Sequence, residues 1–80
     1  MNSPKRQVNE RKFGQWSDLD TGGRRYWYDV PGRSGWMARY VKEVDENEVT
    51  TRFFQEIYDD GGRLVEVHEK FPRDKGHDIV

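Results

Sequence analysis

The central part of the chain alternates hydrophobic and polar side chains in the manner of β-strands. In the segment 49–58, Phe53 and Ile57 are an even number of residues apart, so an extended strand places them on one face. The segment is also rich in β-branched and aromatic residues, which suit a pleated sheet better than a helix. The same spacing recurs in residues 24–30 and 63–71. The pattern therefore predicts a series of β-strands.

Short polar segments separate these strands, at residues 31–35, 45–48 and 59–61. They are typical of hairpin turns, because Gly, Asn and Asp tolerate the positive φ that tight connections need. Aligning the strands across these turns sets Tyr40 opposite Phe53. It also collects one predicted apolar face, which consists of Tyr26, Tyr28, Val30, Trp36, Ala38, Tyr40, Val44, Val49, Phe53, Ile57, Val65, Val67 and Phe71.

The last hairpin admits two alignments. A three-residue turn at 59–61 sets Phe53 opposite Val67, whereas a two-residue turn sets Arg52 opposite Glu69. A shift by one residue moves every side chain of a strand to the other face. We prefer the first alignment because it assembles one continuous apolar face.

The two ends of the chain differ from its centre. Residues 1–12 are polar and charged, so we expect a flexible tail. Residues 13–19 form either a fifth edge strand or a loop that covers the sheet, and Pro72 ends the last strand before an exposed end. The predicted fold of residues 13–80 is a single all-β domain. It is an antiparallel meander of four or five strands, in one sheet or a partly open barrel.

The composition excludes several kinds of site and favours a soluble protein. The 80 residues include no cysteine, which excludes disulfides and thiolate metal sites, and the net charge is only −1. No apolar run approaches the roughly 20 residues that span a membrane, so we expect a soluble, cytoplasmic protein. The charge is unevenly spread, because residues 1–44 carry an excess of basic side chains and residues 45–80 an excess of acidic ones.

Four segments of the chain form a recognisable series, namely GGRRYW, RYVKEVD, EIYDDGGRLVEVHEKFP and DKGH. They resemble a family of small uncharacterised bacterial proteins, a domain of unknown function, and the likeness covers residues 13 to 77. The resemblance implies a single small domain. It implies no activity, cofactor or site.

Three side chains suggest catalysis in the preferred alignment, where Arg52, Glu56 and His68 share the polar face. Small ribonucleases use such a set, with the carboxylate as base, the imidazole as acid and the cation stabilising the developing charge. Ordinary cross-strand pairs are the more common explanation of charged residues on a sheet. The spacing of His68 and His77 matches no zinc or calcium pattern, so we expect neither a metal nor a cofactor.

Four residues are candidates for binding. Trp36 and Tyr40 belong to the predicted apolar face, where a core or interface role is more common than stacking on bases. Trp27 and Arg39 lie on the opposite face, near further arginines, and are the better candidates for contact with single-stranded nucleic acid.

The predicted apolar face has nothing obvious to cover it, and soluble monomers rarely expose so large an apolar patch. We therefore expect a non-enzymatic interaction module that forms a homodimer through this face and can serve other protein partners. The alternative is a small nucleic-acid-binding protein or ribonuclease that uses the Arg52, Glu56 and His68 face.

Overall fold

A computed structural model describes residues 3–74 and 76–80 as a six-stranded antiparallel sheet with one short helix. The strands follow one another in sequence order, which confirms the predicted meander in the form of one open sheet. The elements are α1 (Pro4–Phe13), β1 (Gln15–Asp18), β2 (Arg24–Pro31), a 3₁₀ turn (Arg33–Gly35), β3 (Met37–Val44), β4 (Thr50–Tyr58), β5 (Leu64–Phe71) and β6 (Gly76–Ile79).

The expected flexible tail is wrong for residues 4–12, because they form α1. The side chain of Ser3 accepts a hydrogen bond from the backbone N–H of Arg6, and Pro4 occupies the first turn, as suits a helix start. Gly14 ends the helix with φ +81°, a conformation that favours glycine. Residues 1 and 2 of the expected tail lie outside the described residues.

Two short strands account for the difference from the predicted number. β1 falls within the segment expected to be either a strand or a loop, and it is an edge strand. β6 falls within the expected exposed end, and it pairs with β5 although its side chains are exposed.

The sheet has two faces, which we call the helix face and the open face. On the helix face, α1 packs over the β1–β2 side and buries Phe13, Tyr26 and Val44 in one cluster. On the open face no helix of the described residues is packed, yet Val41 and Phe54 are 2 % and 6 % exposed.

Three of the hairpin turns share one hydrogen-bond pattern. In the turn between β4 and β5, the N–H of Asp59 donates to the carbonyl of Arg63, and the N–H of Gly62 donates to the carbonyl of Asp59. The turns after β1 and β3 repeat this arrangement. The residue corresponding to Gly62 has a positive φ in all three, which is Gly22 after β1 and Glu48 after β3.

The predicted pairing of β3 with β4 is offset by two residues, since Tyr40 lies opposite Gln55 rather than Phe53. This even offset keeps the side chains from Met37 to Glu43 and their partners on the predicted faces, but a further shift after Glu43 sets Val44 opposite Thr50. The preferred pairing of β4 with β5 is wrong in a more consequential way, because Val67 lies opposite Glu56 and Phe53 lies opposite Phe71. A register shift between Ile57 and Tyr58 adds one residue to the β5 side, and it moves Val67 to the open face.

Candidate functional site

The open face is built from a short motif that β2, β3 and β4 each contain once. The motif is an arginine, an apolar residue and a carboxylate at alternate positions, which a strand presents on one face. Its three copies are Arg25, Trp27 and Asp29; Arg39, Val41 and Glu43; and Arg52, Phe54 and Glu56.

Antiparallel pairing turns this repeat into rows of alternating charge across the sheet. Arg25 lies opposite Glu43, and Glu43 lies opposite Arg52. The Nε atom of Arg25 donates to Glu43 at 2.7 Å, and Arg52 donates through Nε and Nη2 to Glu69 at 2.8 and 2.9 Å. The first row is therefore neutralised within the sheet.

A second charged row lies on the other side of the apolar residues. Arg39 donates through Nε and Nη2 to the two carboxylate oxygens of Asp29, at 2.7 and 3.2 Å. Glu56 lies opposite Arg39 and accepts a hydrogen bond from the hydroxyl of Tyr58 at 3.0 Å. The bonds with Asp29 raise the pKa of Arg39, and those with Glu69 raise the pKa of Arg52, so both guanidinium groups stay charged.

Between the two charged rows lies the apolar row of Trp27, Val41 and Phe54. The guanidinium of Arg52 lies 4.1 Å from the centroid of the Phe54 ring, so a charged side chain covers this part of the face. A hollow of about 400 Å³ remains above the row. Its lining consists of Ser17, Arg25, Trp27, Arg39, Val41, Arg52, Phe54, Glu56, Tyr58 and Val67.

The hollow brings together four of the residues singled out in the sequence, namely Trp27, Arg39, Arg52 and Glu56. His68 is not among them, because it lies on the helix face opposite Gln55. The sheet therefore separates the imidazole from Arg52 and Glu56. The partner that sequence reasoning missed is Glu69, which the rejected alignment of the last hairpin had set opposite Arg52.

His68 belongs to a separate pair of histidines between β5 and β6. Its Nε2 atom lies 2.7 Å from Oδ1 of Asp74, and its ring centroid lies 4.2 Å from that of His77. The Nδ1 atom of His77 lies 2.8 Å from Oε1 of Glu66. Within residues 3–74 and 76–80, no group of three or more His, Cys, Asp or Glu side chains is arranged to hold a metal ion.

Trp36 and Tyr40 lie on the helix face, on the part of the sheet that the body of α1 does not cover. Phe13, the last residue of the helix, touches the edge of this region at Tyr28, with 5.4 Å between ring centroids. Tyr40 stacks on Tyr28 with 5.1 Å between ring centroids, and its hydroxyl accepts a hydrogen bond from Gln55. Trp36 precedes β3 in extended backbone and is 41 % exposed. We call this region the apolar patch, and it consists of Tyr28, Val30, Trp36, Ala38, Tyr40 and Ile57.

Comparison of the chain with protein-family models, with curated proteins and with solved structures found no match. No helix in the described part of the chain has the length and apolar character needed to cross a membrane.

Proposed function

We propose that the protein is a small interaction module whose first partner is a second copy of itself, bound through the apolar patch. The observation that carries this proposal is the position of α1. The helix packs on the β1–β2 side, and it leaves Val30 and Trp36 at the far end of the same face each 41 % exposed.

Beyond the patch, the same row of the sheet passes through the charged Glu66 and ends at a second exposed apolar residue. One row of paired residues runs from Val30 through Ala38, Ile57 and Glu66 to Ile79, which is 84 % exposed. Five adjacent strands at about 4.8 Å spacing make this row about 19 Å long. The exposed apolar area of this face is smaller than the sequence suggests, because α1 covers Tyr26 and because Val67 lies on the open face. We therefore expect a weak dimer with an interface at the low end of the usual range.

The distribution of charge favours a second copy as the partner. Residues 1–44 carry nine basic and five acidic side chains, and residues 45–80 carry five basic and ten acidic ones. The strand order places these two halves side by side in the sheet. A two-fold contact that reverses the strand order sets the basic half of one copy over the acidic half of the other.

Sedimentation velocity over a range of protein concentrations tests this proposal. We expect a reversible dimer at high micromolar concentration, and we expect Trp36→Ala to shift the protein to the monomer. The matched control is Trp27→Ala, which removes a tryptophan from the open face and leaves the dimer in place. A wild-type protein that stays monomeric at every concentration would overturn the proposal, as would a dimer that Trp36→Ala leaves unchanged.

The alternative, a nucleic-acid-binding protein or ribonuclease on the Arg52 face, has less support. The rows of the open face set three arginines against four carboxylates, so this face offers no excess of positive charge to a phosphate backbone. His68 lies on the other side of the sheet from Arg52 and Glu56.

A further inference from the structure

A second hollow lies on the helix face, where the C-terminal end of α1 meets the end of β5. Its volume is about 320 Å³. Its lining consists of Lys12, Phe13, Lys42, Thr50, Phe53 and Phe71. We call it the lysine–phenylalanine hollow.

Pairing across the sheet builds the floor of this hollow. Phe53 lies opposite Lys42 on one side and opposite Phe71 on the other, so the three side chains form one row. Lys12 and Phe13, at the end of α1, close the hollow from above. Phe71 is 44 % exposed, which leaves its ring accessible from solvent.

The lysines at the hollow form no ion pair with a carboxylate of the described residues. None of the ion pairs within residues 3–74 and 76–80 involves Lys12, Lys42 or Lys70. The Nζ atom of Lys70 lies 5.9 Å from the centroid of the Phe53 ring, so it adds a third ammonium group beside the floor. This arrangement is the reverse of the open face, where each arginine of the three motifs has a carboxylate partner.

Two carboxylates whose charges interact with these lysines form their hydrogen bonds and ion pairs with other groups. Glu48 accepts hydrogen bonds from three other side chains, and Asp74 lies 2.7 Å from Nε2 of His68. Lys42 itself donates to the side-chain oxygen of Asn9 at 3.0 Å. Burial lowers the pKa of Lys42, the charge of Lys12 lowers it further, and the charge of Glu48 opposes both. A bound anion would relieve this repulsion.

We propose that the lysine–phenylalanine hollow binds an anion that carries a planar apolar ring, the chemistry of a nucleotide, either free or within a single strand. The ammonium groups of Lys12 and Lys42 supply the charge that a phosphate needs. The rings of Phe53 and Phe71 offer the surface on which a base stacks. The lining contains three phenylalanines and no aliphatic side chain, which favours a flat ring over an alkyl chain. The volume is near the lower end of the range of small-molecule sites, and it suits a single nucleotide.

Titration followed by NMR tests the proposal, with four probes: thymidine 5′-monophosphate, thymidine, inorganic phosphate and a short oligothymidylate. We expect the nucleotide to bind about tenfold more tightly than thymidine or phosphate, because only the nucleotide uses both charge and ring. Tighter binding of the oligothymidylate than of the nucleotide identifies a single strand as the source of the ligand. Equal binding identifies the free nucleotide. Either result supports the proposal that the hollow binds an anion with a planar ring.

Two substitutions locate the site. Lys42→Met removes the ammonium group and keeps the apolar stem, and we expect it to weaken nucleotide binding about tenfold. Lys12→Met serves the same purpose without disturbing the bond to Asn9, so a folding defect of the first variant does not prevent the test. The matched control is Lys5→Met, at the exposed N-terminal end of α1.

Three results would overturn the proposal. They are the absence of saturable binding by the nucleotide, equally tight binding of phosphate alone, and an equal loss of affinity in the Lys5 and Lys12 variants.

Discussion

The hydroxyl of Tyr26 donates a hydrogen bond to Oε2 of Glu48 at 2.8 Å, beneath α1. Glu48 also accepts bonds from Nε of Arg6 at 3.1 Å and from Nδ2 of Asn9 at 3.0 Å, so one carboxylate joins the helix to the sheet. Glu48 has a φ of +62°, at the turn position that Gly22 and Gly62 occupy in the hairpins β1–β2 and β4–β5. That conformation costs a non-glycine residue about 1–2 kcal/mol. The bonds to the helix and to Tyr26 offset this strain.

Replacing Glu48 should release the helix. Glu48→Ala leaves Arg6, Asn9 and Tyr26 without their shared acceptor, and we expect a loss of about 3 kcal/mol or more in the free energy of unfolding. Urea unfolding measures the loss. Glu46→Ala, an exposed substitution in the same turn, is the control and should change the stability by less than about 0.5 kcal/mol. Equal effects of the two substitutions would contradict this role of Glu48.

The contact should also make the stability depend on pH in the acid range. Burial raises the pKa of Glu48, but hydrogen bonds from Tyr26, Asn9 and Arg6 outweigh it and hold the pKa below the ordinary value of 4.5. The folded state then binds this proton less readily than the unfolded state. Its contribution to stability is therefore present above the ordinary pKa and is lost as the pH falls through the folded pKa.

Urea unfolding of Glu48→Gln at neutral and at progressively lower pH isolates this contribution. The amide does not titrate, so we expect the variant to lose less stability than the wild type as the pH falls. The pKa of Asp74 is also lowered, by hydrogen bonds from the N–H of Gly76 and from His68. The pH profile of Asp74→Asn measures the contribution of this second carboxylate. Parallel pH profiles for the wild type and Glu48→Gln would argue against the assignment.

Tyr26 should behave unusually at high pH. Burial, together with the hydrogen bond to Glu48, raises the pKa of Tyr26 from 10.0 to about 12. The part of the stability that depends on the neutral phenol is fully present below the pKa of Tyr26 in the unfolded chain. It is lost as the pH rises through the pKa of Tyr26 in the folded protein. We expect the stability of the wild type to fall above pH ~10 more steeply than that of Tyr26→Phe. Ultraviolet absorbance during the titration should show one late phase that Tyr26→Phe lacks.

Phe53 and Phe54 report on the two faces of the sheet. Phe54 is 6 % exposed on the open face, whereas Phe53 is half-buried on the helix face. We expect Phe54→Ala to cost about 3–5 kcal/mol, and Phe53→Ala to cost clearly less. Denaturant titration of the two variants measures the difference. A larger loss for Phe53→Ala would mean that the open face contributes little to the core.

Alternation of apolar residues was sufficient to predict the four long strands, because each contains enough residues to show a period of two. The observed β4, for example, is Thr50–Tyr58 where the sequence predicts a strand over 49–58. β1 and β6 have only four residues each, too few for a clear pattern. The helix was missed because it contains few apolar residues and is held by Glu48, a partner 42 positions away from Arg6.

The surfaces were harder to predict than the strands. The register shift between Ile57 and Tyr58 offsets β5 by one residue, and this offset decides whether His68 shares a face with Arg52. The lysine–phenylalanine hollow escaped sequence reasoning because Lys12, Lys42 and Phe71 are widely separated along the chain. Only the sheet pairing and the helix position bring them together.

The repeated arginine–apolar–carboxylate motif also has a consequence for how the chain finds its fold. In the observed antiparallel pairing of β2 with β3, Arg25 meets Glu43 and Asp29 meets Arg39. A slip by two residues would set Arg39 opposite Trp27 and break both charge pairs, and a parallel alignment of the same two strands would set arginine against arginine. The charge pairs thus favour the observed alignment of the strands over shifted ones. A second copy of a hairpin with this motif would fit into the sheet and keep the alternation of positive and negative side chains.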